Sequence, residues 1–517
     1  MIEPIASKAE NVTEPPWPNA ARVSSPGDEF WQDTLVLAIF TFGLAFLISA
    51  NPYIFSDGDT GWHIAAGEWM LVHGSIPYTD PFSYAAFGKP WVAHEWLSEV
   101  IMAWAFRAFG YAGLALLIAV AVGLTMLIIG LRLRRWMRPV ETCAALMIIA
   151  LGLLPVMLAR PMVLAWPVLA WWTEELLRAR ERDTTPRLYL IPLMTLWVNL
   201  HASFAVGLAV AAFFGLDALV GSRDRRQAFV RWGLFGMACS AATLLNPNGL
   251  TNVLLPLSVF ISPTVGFVSE FKPTAPANYP GFELALVALI AFALWRGARL
   301  AAVRLLLVIV LLHLSLAHIR HQSIFLIVTA LVVLPAMSAR WLAGNAPKPS
   351  FLEELGQRRS GVGRAAGAAA LLFAILSAAR LLVPVSPIES DVNPAHALDS
   401  IPMSLRTERV LNEYSLGGPL ILRGFRVFMD GRTDVYGDNH FLEYLAIFKG
   451  DSEAFSREQR KWQFCWSIFP ANSSGILRVL DASPGWERIY ADEWAIIHVR
   501  RPCGSQFTAA SGMANGG

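Results

Sequence analysis

Two aspartates, Asp57 and Asp59, stand one residue apart directly after the first long apolar run of this 517-residue chain. Paired carboxylates can supply a general base or hold a divalent cation. The simpler alternative is that both residues cap the helix that follows, because Asp is a strong N-cap residue. The spacing therefore predicts either a reaction centre or a helix start at this position.

Polar side chains elsewhere gather at the ends of apolar runs. These ends are predicted to lie on the same side of a membrane as the aspartate pair. Ionisable and amide groups near membrane depth are costly and tend to line a cavity or a pathway. We therefore expect a polar cavity that opens on this side. The candidate binding residues are His63, His94, Glu95, Arg160, Asn199, His201, Glu270, Lys272, His318, Arg320 and His321.

The charges of these candidates indicate their roles. Arg160, Arg320 and the histidines provide the cationic and hydrogen-bonding groups that bind an anion such as phosphate. For His318 and His321 phosphate contact is favoured over metal binding, because no third ligand stands at a fixed spacing. The candidate ligands of a divalent cation, Mg²⁺ or Mn²⁺, are Asp57, Asp59 and Glu270. The sequence leaves open whether such a cation binds.

The composition places these residues in a membrane protein. Hydrophobic residues make up 55% of the chain and charged residues 15%, and the mean hydropathy is +0.47. Soluble domains carry about 25% charged residues. A soluble enzyme, a disordered protein and a disulfide scaffold are therefore excluded. The formal net charge is only +2 and there is no basic tract, so we expect no nucleic-acid partner.

A helix that spans a bilayer needs about 20 mostly apolar residues. By this criterion the sequence predicts a bundle of about eleven transmembrane helices over residues 31–385, after a disordered cytoplasmic tail over 1–30. The predicted spans are 33–51, 111–131, 140–158, 162–178, 187–200, 202–220, 230–246, 282–295, 301–317, 322–340 and 365–385. The apolar stretch 94–131 is too long for one crossing. Its first part is expected to lie at the interface, with a break near Arg107 and Gly110.

Arginine and lysine residues cluster at alternate ends of these spans, for example over 132–138 and 223–231. By the positive-inside rule these ends are cytoplasmic. The N-terminus is then cytoplasmic, and the first loop, 52–110, is a long structured outer loop. The C-terminal portion, 386–517, lies outside the cytoplasm as well.

The C-terminal portion is less apolar than the bundle and contains short β-like runs at 418–423, 426–429 and 494–500. Turn residues separate these runs, which predicts a small extracytoplasmic α/β domain. Cys465 and Cys503 lie in this portion, where an oxidising compartment would allow a disulfide. The predicted fold class is an all-α polytopic membrane bundle with this small α/β domain at its C-terminal end.

Four short motifs accompany this layout. They are Asp57-Gly58-Asp59-Thr60-Gly61-Trp62-His63, His94-Glu95-Trp96-Leu97, Trp197-Val198-Asn199-Leu200-His201 and Phe428-Met429-Asp430-Gly431-Arg432. The last is predicted to form a turn with an ion pair, and substrate contact is the alternative. With the long first loop and the outer C-terminal portion, the motifs resemble the GT-C superfamily of polytopic glycosyltransferases. More closely, they resemble a group of bacterial membrane proteins placed beside that superfamily.

The resemblance implies a GT-C-like fold in the bacterial inner membrane, a periplasmic C-terminal domain and a sugar donor linked to polyprenyl phosphate. In oligosaccharyltransferase catalytic subunits an Asp stands shortly before an aromatic residue and a His, a place that Asp59 fits best here. The chain lacks the Trp-Trp-Asp motif for peptide recognition. The implied acceptor is therefore a lipid, a glycan or another hydroxyl compound. The superfamily includes metal-dependent and metal-independent members, so the cofactor stays open.

The leading hypothesis is transfer of the sugar in one displacement, which inverts the anomeric centre. Asp59 would be the general base, Asp57 would support it, and Arg160 with Arg320 would stabilise the departing phosphate. The alternative is a carrier or flippase for a lipid-linked or anionic solute, which predicts charged residues across the full membrane depth. A scaffolding protein is a third possibility, and it gives the aspartate pair and the histidines no role.

Overall fold

The computed structural model describes residues 26–262, 265–338, 348 and 359–503. Its N-terminal part is a bundle of helices. These are α1 (Pro26–Ser49), α2 (Thr60–His73), α3 (Trp96–Leu133), α4 (Pro139–Leu153), α5 (Pro161–Glu181), α6 (Leu190–Leu200), α7 (Phe204–Gly221), α8 (Arg225–Ala242), α9 (Leu250–Ile261), α10 (Pro280–Arg296), α11 (Ala302–Ala317), α12 (Gln322–Val333) and α13 (Arg359–Leu382). Helix α3 lies at the centre of the bundle and packs against α1, α2 and α5.

The predicted tail over 1–30 stays a prediction. Helix α1 is described from Pro26, the first described residue. The rest of the predicted tail, residues 1–25, lies outside the described residues.

Each predicted apolar span overlaps one helix, but the number of crossings stays a prediction. Within the described residues, four helices are long and apolar enough to cross a membrane. They are Trp96–Leu133, Pro139–Val156, Phe204–Gly221 and Ile319–Met337. Shorter apolar helices cover Asp33–Ser49, Leu190–Leu200, Ala302–Ala317 and Ala370–Leu382. The difference arises in part because several predicted spans correspond to shorter helices, such as α6 with 11 residues, α11 with 16 and α10 with 17.

The predicted break in the long apolar stretch is confirmed. Helix α3 runs from Trp96 to Leu133, but Phe109 and Gly110 have non-helical backbone angles. Gly110 has a φ of 57°, a conformation that glycine adopts without steric cost. The segment before this kink packs on α2, which leaves the remainder of α3 for the bundle core.

The C-terminal portion is a small α/β unit. Its elements are α14 (Ala395–Asp399), β1 (Val410–Asn412), α15 (Gly417–Leu422), α16 (Thr433–Tyr436), α17 (Asp438–Lys449), α18 (Ser452–Trp462), β2 (Trp466–Pro470), α19 (Ser474–Ala482), β3 (Trp486–Ala491) and β4 (Ala495–Arg500). The strand order is β1-β2-β4-β3, with β1 and β2 parallel and the other pairs antiparallel. Cys465 and Cys503 form a disulfide, with their Cα atoms 5.2 Å apart.

Of the three predicted strands in this portion, one is confirmed. Strand β4 covers the run 494–500 except its first residue. The run 418–423 is instead mostly helical, in α15, because Gly417, Gly418 and Pro419 suit a first helical turn. The run 426–429 belongs to no named strand and makes one bridge, between Val427 and Ser83.

The first loop and the C-terminal portion share one hydrophobic core. Trp62, Met70 and Trp91 of the loop pack in the same buried cluster as Val410 and Phe428. The Tyr84 hydroxyl donates to the Val410 carbonyl oxygen at 2.6 Å. The last quarter of the chain therefore holds the first loop in place over the helical bundle.

Candidate functional site

A cavity of about 560 Å³ lies where the first loop, the bundle and the C-terminal portion meet. Nine of the predicted site residues line it: Asp59, His63, His94, Glu95, Arg160, His201, Glu270, Arg320 and His321. It is also lined by apolar residues, among them Val156, Met162, Val206, Leu255 and Ile324. The cavity thus combines a polar and an apolar lining.

One arginine joins the predicted cation ligands. Arg160 stands at the N-cap position of α5, with Pro161 fixing the first helical turn. Its guanidinium binds Asp57 through two nitrogens, with Nε 2.7 Å from Oδ2, and it contacts Glu270. Its Nη2 lies 3.1 Å from Asp59 Oδ2. We call these four residues the arginine cluster, in which the guanidinium supplies the positive charge between three carboxylates.

The two aspartates of this cluster have different surroundings. The side chain of Asp57 is 2% exposed, does not line the cavity, and accepts from the Thr60 hydroxyl at 3.1 Å. The side chain of Asp59 is 17% exposed and lines the cavity. Asp59 occupies the N-cap position of α2, yet its side chain makes no capping hydrogen bond. Its Oδ1 accepts from Trp62 Nε1 at 3.1 Å instead, so the cap hypothesis does not account for its carboxylate.

These different surroundings also shift the pKa values of Asp57 and Asp59 in opposite directions. Burial raises the pKa of Asp57, but the adjacent Arg160 guanidinium lowers it more, so that this pKa lies below the usual 3.8. Burial also raises the pKa of Asp59, and the negative charge of Asp57 adds to this effect. Because Asp59 shares the guanidinium rather than binding it through two nitrogens, its pKa stays above 3.8.

Four buried residues form a second group beside the first, which we call the histidine cluster: His63, Glu95, Glu99 and His201. His63 Nδ1 lies 3.2 Å from Glu99 Oε1, and His63 Nε2 lies 3.9 Å from Glu95 Oε2. His201 Nε2 is 3.2 Å from Glu95 Oε1. Helices α2 and α3 can approach closely here because Gly67 has no side chain. A Cβ at this position would overlap the backbone of Glu99.

Hydrogen bonds assign the proton on His201. Its Nδ1 accepts from the Ser203 backbone N–H at 3.0 Å, so Nε2 carries the proton and donates to Glu95. Burial lowers the pKa of His201 to about 4, which keeps this imidazole neutral. Burial also disfavours charge on His94, but the carboxylate of Glu95 raises the pKa of His94 to about 9.

Arg320 supplies a further cation to the cavity. It lies with His321 in a short 3-10 turn, Ile319–His321, immediately before α12. Its guanidinium carbon is 4.5 Å from the centre of the Phe271 ring. Among the described residues no carboxylate lies within ion-pair distance of Arg320. Its charge is therefore available to an anion in the cavity.

Four predicted site residues do not line the cavity. Asp57 lies behind Arg160, as described above. Asn199 donates to the backbone oxygens of Thr195 and Leu245 and accepts from Trp96 Nε1, which ties α6 to the start of α3. Lys272 is exposed. His318 lies beside the cavity, with Nδ1 2.8 Å from the Phe271 carbonyl oxygen.

The C-terminal portion forms the roof of the site through residues that we did not predict as site residues. Arg432 Nη2 donates to Asp430 at 2.7 Å, and Arg432 Nη1 donates to Asp80 of the first loop at 2.7 Å. Gly431 packs so closely on Asp59 that a Cβ there would overlap Oδ1. The predicted turn with an ion pair is thus present, and it also closes the cavity.

Further lining residues were missed in the sequence. Tyr414, Thr433 and Asp434 line the cavity, as does Glu99. Glu99 lies one helical turn after Glu95, a spacing that indicates a shared face of α3 and could have revealed it. No sequence pattern indicated Tyr414, because it reaches the cavity only when the C-terminal portion packs on the first loop.

A second, more open concavity lies on the surface of the C-terminal portion. It is lined by Glu389, His396, Tyr490, Asp492, Glu493 and Trp494. None of the predicted site residues is among them, so this concavity is not the candidate site.

Comparison with known proteins identifies the fold. No protein-family model and no curated protein matches the sequence. Two solved structures of the oligosaccharyltransferase AglB from Archaeoglobus fulgidus are similar. The apo form has a TM-score of 0.50 at 13% identity, covering 86% of this chain and 70% of that chain. The complex with an inhibitory peptide and a dolichol-phosphate has a TM-score of 0.53 at 13% identity, covering 93% and 75%. The chain therefore shares its fold with these archaeal oligosaccharyltransferases.

Proposed function

We propose that this protein is a membrane glycosyltransferase that moves a sugar from a polyprenyl-phosphate donor to a hydroxyl acceptor at the outer face of the bacterial inner membrane. The observation that carries the proposal is the pairing of two groups in one cavity. Asp59 offers a carboxylate with a raised pKa, and Arg320 offers a guanidinium without a carboxylate partner among the described residues. A base and a phosphate-binding cation are the two groups that this transfer requires.

The shape of the cavity favours a lipid-linked donor. The apolar lining residues on α5, α7, α9 and α12 suit a polyprenyl chain, and the polar lining residues suit a phosphate and a sugar. One structure with this fold was solved with a dolichol-phosphate, which supports the same class of donor.

The reaction would be a single displacement. The acceptor oxygen forms a bond with the anomeric carbon while the bond from that carbon to the phosphate oxygen breaks. The electron pair leaves with the polyprenyl phosphate, and the acceptor proton passes to Asp59. One displacement inverts the anomeric centre. The raised pKa of Asp59 suits this role, because a base works best when its pKa is near the working pH.

The other members of the arginine cluster would position the base. Asp57 holds Arg160 through two hydrogen bonds, and Arg160 in turn orients Asp59. Because Arg160 is already shared by three carboxylates, the leaving phosphate would be bound mainly by Arg320, with His321 beside it. Arg160 would thus position the base, and Arg320 would bind the phosphate.

The placement of the site outside the cytoplasm has two supports. Arginine and lysine residues concentrate at the opposite ends of the helices. The disulfide between Cys465 and Cys503 is of a kind that persists in oxidising compartments such as the bacterial periplasm. Both support a periplasmic position for the C-terminal portion and the cavity.

The test uses the purified chain in lipid with a panel of radiolabelled polyprenyl-phosphate sugars and a membrane extract as the source of acceptor. Wild type is compared with Asp59→Asn. A control is Asp399→Asn, which changes an aspartate whose side chain is 73% exposed. We expect Asp59→Asn to lose about 100-fold or more in transfer, as a missing general base does, while donor binding is retained.

Two results would contradict the proposal. Equal transfer by wild type and Asp59→Asn would remove Asp59 from the chemistry. Donor movement across the bilayer without any transfer product would favour the carrier hypothesis instead. The Asp399→Asn control separates both results from a general effect of removing a carboxylate.

A further inference from the structure

The histidine cluster buries two carboxylates without a lysine or arginine partner. In the described part of the chain, every ion-pair contact of Glu95 and Glu99 is to a histidine: His63, His94 or His201. The side chain of Glu99 is 2% exposed and that of Glu95 is 11% exposed. Buried carboxylates are usually paired with a cation or coordinate a metal ion.

One atom of this cluster has no partner. Glu99 Oε2 is buried and makes no hydrogen bond, although Glu99 lines the cavity. A buried carboxylate oxygen normally accepts a hydrogen bond or binds a metal ion. Glu99 Oε2 is therefore available to a ligand that enters from the cavity.

The spacing of the donor atoms suits a metal ion. One donor atom each from His63, Glu95 and Glu99 can be chosen so that all lie within 4.8 Å of one another. Ligands at about 2.0–2.1 Å from a tetrahedral Zn²⁺ are about 3.3 Å apart. His63 Nδ1 and Glu99 Oε1, at 3.2 Å, already have this separation. The Glu95 oxygen nearest His63 faces the other ring nitrogen, Nε2, at 3.9 Å, so binding of all three residues to one ion requires the His63 ring or the Glu95 side chain to turn.

The adjacent arginine cluster shows the contrasting case. There the carboxylates of Asp57, Asp59 and Glu270 surround a guanidinium, whose position is fixed by several contacts. The histidine cluster has carboxylates at similar depth but no such permanent cation. A metal ion is therefore to be sought at the histidine cluster rather than at the aspartate pair.

We propose that His63, Glu95 and Glu99 bind one divalent transition-metal ion, with Zn²⁺ the best match to a buried set of one imidazole and two carboxylates. His201 would orient Glu95 by donating Nε2–H to its other oxygen, as residues behind metal ligands commonly do. Three protein ligands leave the fourth position of the ion open to the cavity. A water molecule or a phosphate oxygen would fill it.

The test measures metal binding by the full-length chain in detergent. The protein is stripped with a chelator, incubated with Zn²⁺ or Mn²⁺, desalted and analysed by mass spectrometry for bound metal. We expect about one Zn²⁺ per wild-type chain. Loss of a residue that hydrogen-bonds to a metal ligand weakens metal binding about 10- to 100-fold. We therefore expect His201→Ala to lower the Zn²⁺ affinity by this factor, and Glu99→Gln to lower it at least as much.

The matched control is Glu68→Gln. Glu68 is on the same helix as His63, but its side chain is 44% exposed and it pairs with Arg107. It should bind metal as wild type does. Zinc content below stoichiometry in wild type, or equal affinity in Glu99→Gln and Glu68→Gln, would overturn the proposal. The measurement needs no sugar donor, so its outcome does not depend on the transferase activity.

Discussion

The arginine cluster and the histidine cluster bury carboxylates at the same cavity in two different ways. In the first, one guanidinium with a permanent charge contacts Asp57, Asp59 and Glu270. In the second, imidazoles whose charge can change contact Glu95 and Glu99. The first arrangement fixes a geometry, whereas the second leaves room for a ligand to complete the charge. A rigid base beside an adjustable binding site is a useful combination for group transfer.

The largest expected effect comes from removing the guanidinium. Arg160→Ala leaves Asp57 buried without its counter-charge, a change that costs about 3–5 kcal/mol. We expect a large fall in the unfolding midpoint of the detergent-solubilised protein and loss of transfer. His201→Ala removes only one neutral hydrogen-bond donor from Glu95, so the unfolding midpoint of this variant should fall much less. Equal destabilisation by both variants would break the comparison between the clusters.

The next effect separates binding of the leaving group from stability. Arg320→Gln removes the cavity cation that has no carboxylate partner among the described residues, and loss of one such donor typically costs about 100- to 1000-fold in rate. The unfolding midpoint should hardly change. Arg460→Gln, at an exposed position of α18, is the control for loss of a positive charge. Wild-type transfer by Arg320→Gln would show that another group stabilises the phosphate.

A smaller effect is expected from the roof of the cavity. In Gly431→Ala the new methyl group would displace the carboxylate of Asp59. Misplacement by about 1 Å costs up to about 100-fold in rate, so we expect a fall between 10- and 100-fold with the fold retained. Gly233→Ala in α8, where a Cβ meets nothing within 4 Å, is the control. Measurement of kcat for both variants would show whether the position of Asp59 matters.

The smallest effect is a shift in the pH profile. Asp59 acts only when ionised, so the rate should fall as the pH is lowered through its raised pKa. The hydrogen bond from Trp62 lowers the pKa of Asp59. Trp62→Phe should therefore move the acid limb of kcat/KM to higher pH, whereas Trp69→Phe on the same helix should leave it in place. If the acid limb of Trp62→Phe does not move, that limb reports the titration of a group other than Asp59.

Local patterns in the sequence predicted eleven apolar runs that each overlap a helix, and the break at Gly110, because hydrophobic runs and glycine act over a few residues, but they missed α9. The aspartate pair was also found this way. Its partner Arg160 was named only as a phosphate ligand, because the contact with Asp57 joins residues 103 positions apart. No local pattern encodes such a contact.

The C-terminal portion shows the same limit. Strand β4 follows from its β-branched residues, but the run at 418–423 reads as apolar in either a helix or a strand. Its packing against α2 decides in favour of the helix. Likewise, nothing in the sequence around Gly431 indicates that it closes on Asp59.

The contact between Arg432 and Asp80 joins residues 352 positions apart. At a synthesis rate of about 5–20 residues per second, the first loop waits roughly 20–70 s for the segment that covers it. During this time the aspartates are present, but the cavity has no roof. A copy whose synthesis has not reached Arg432 therefore exposes these residues, and the site is complete only after the C-terminal portion has folded over the first loop.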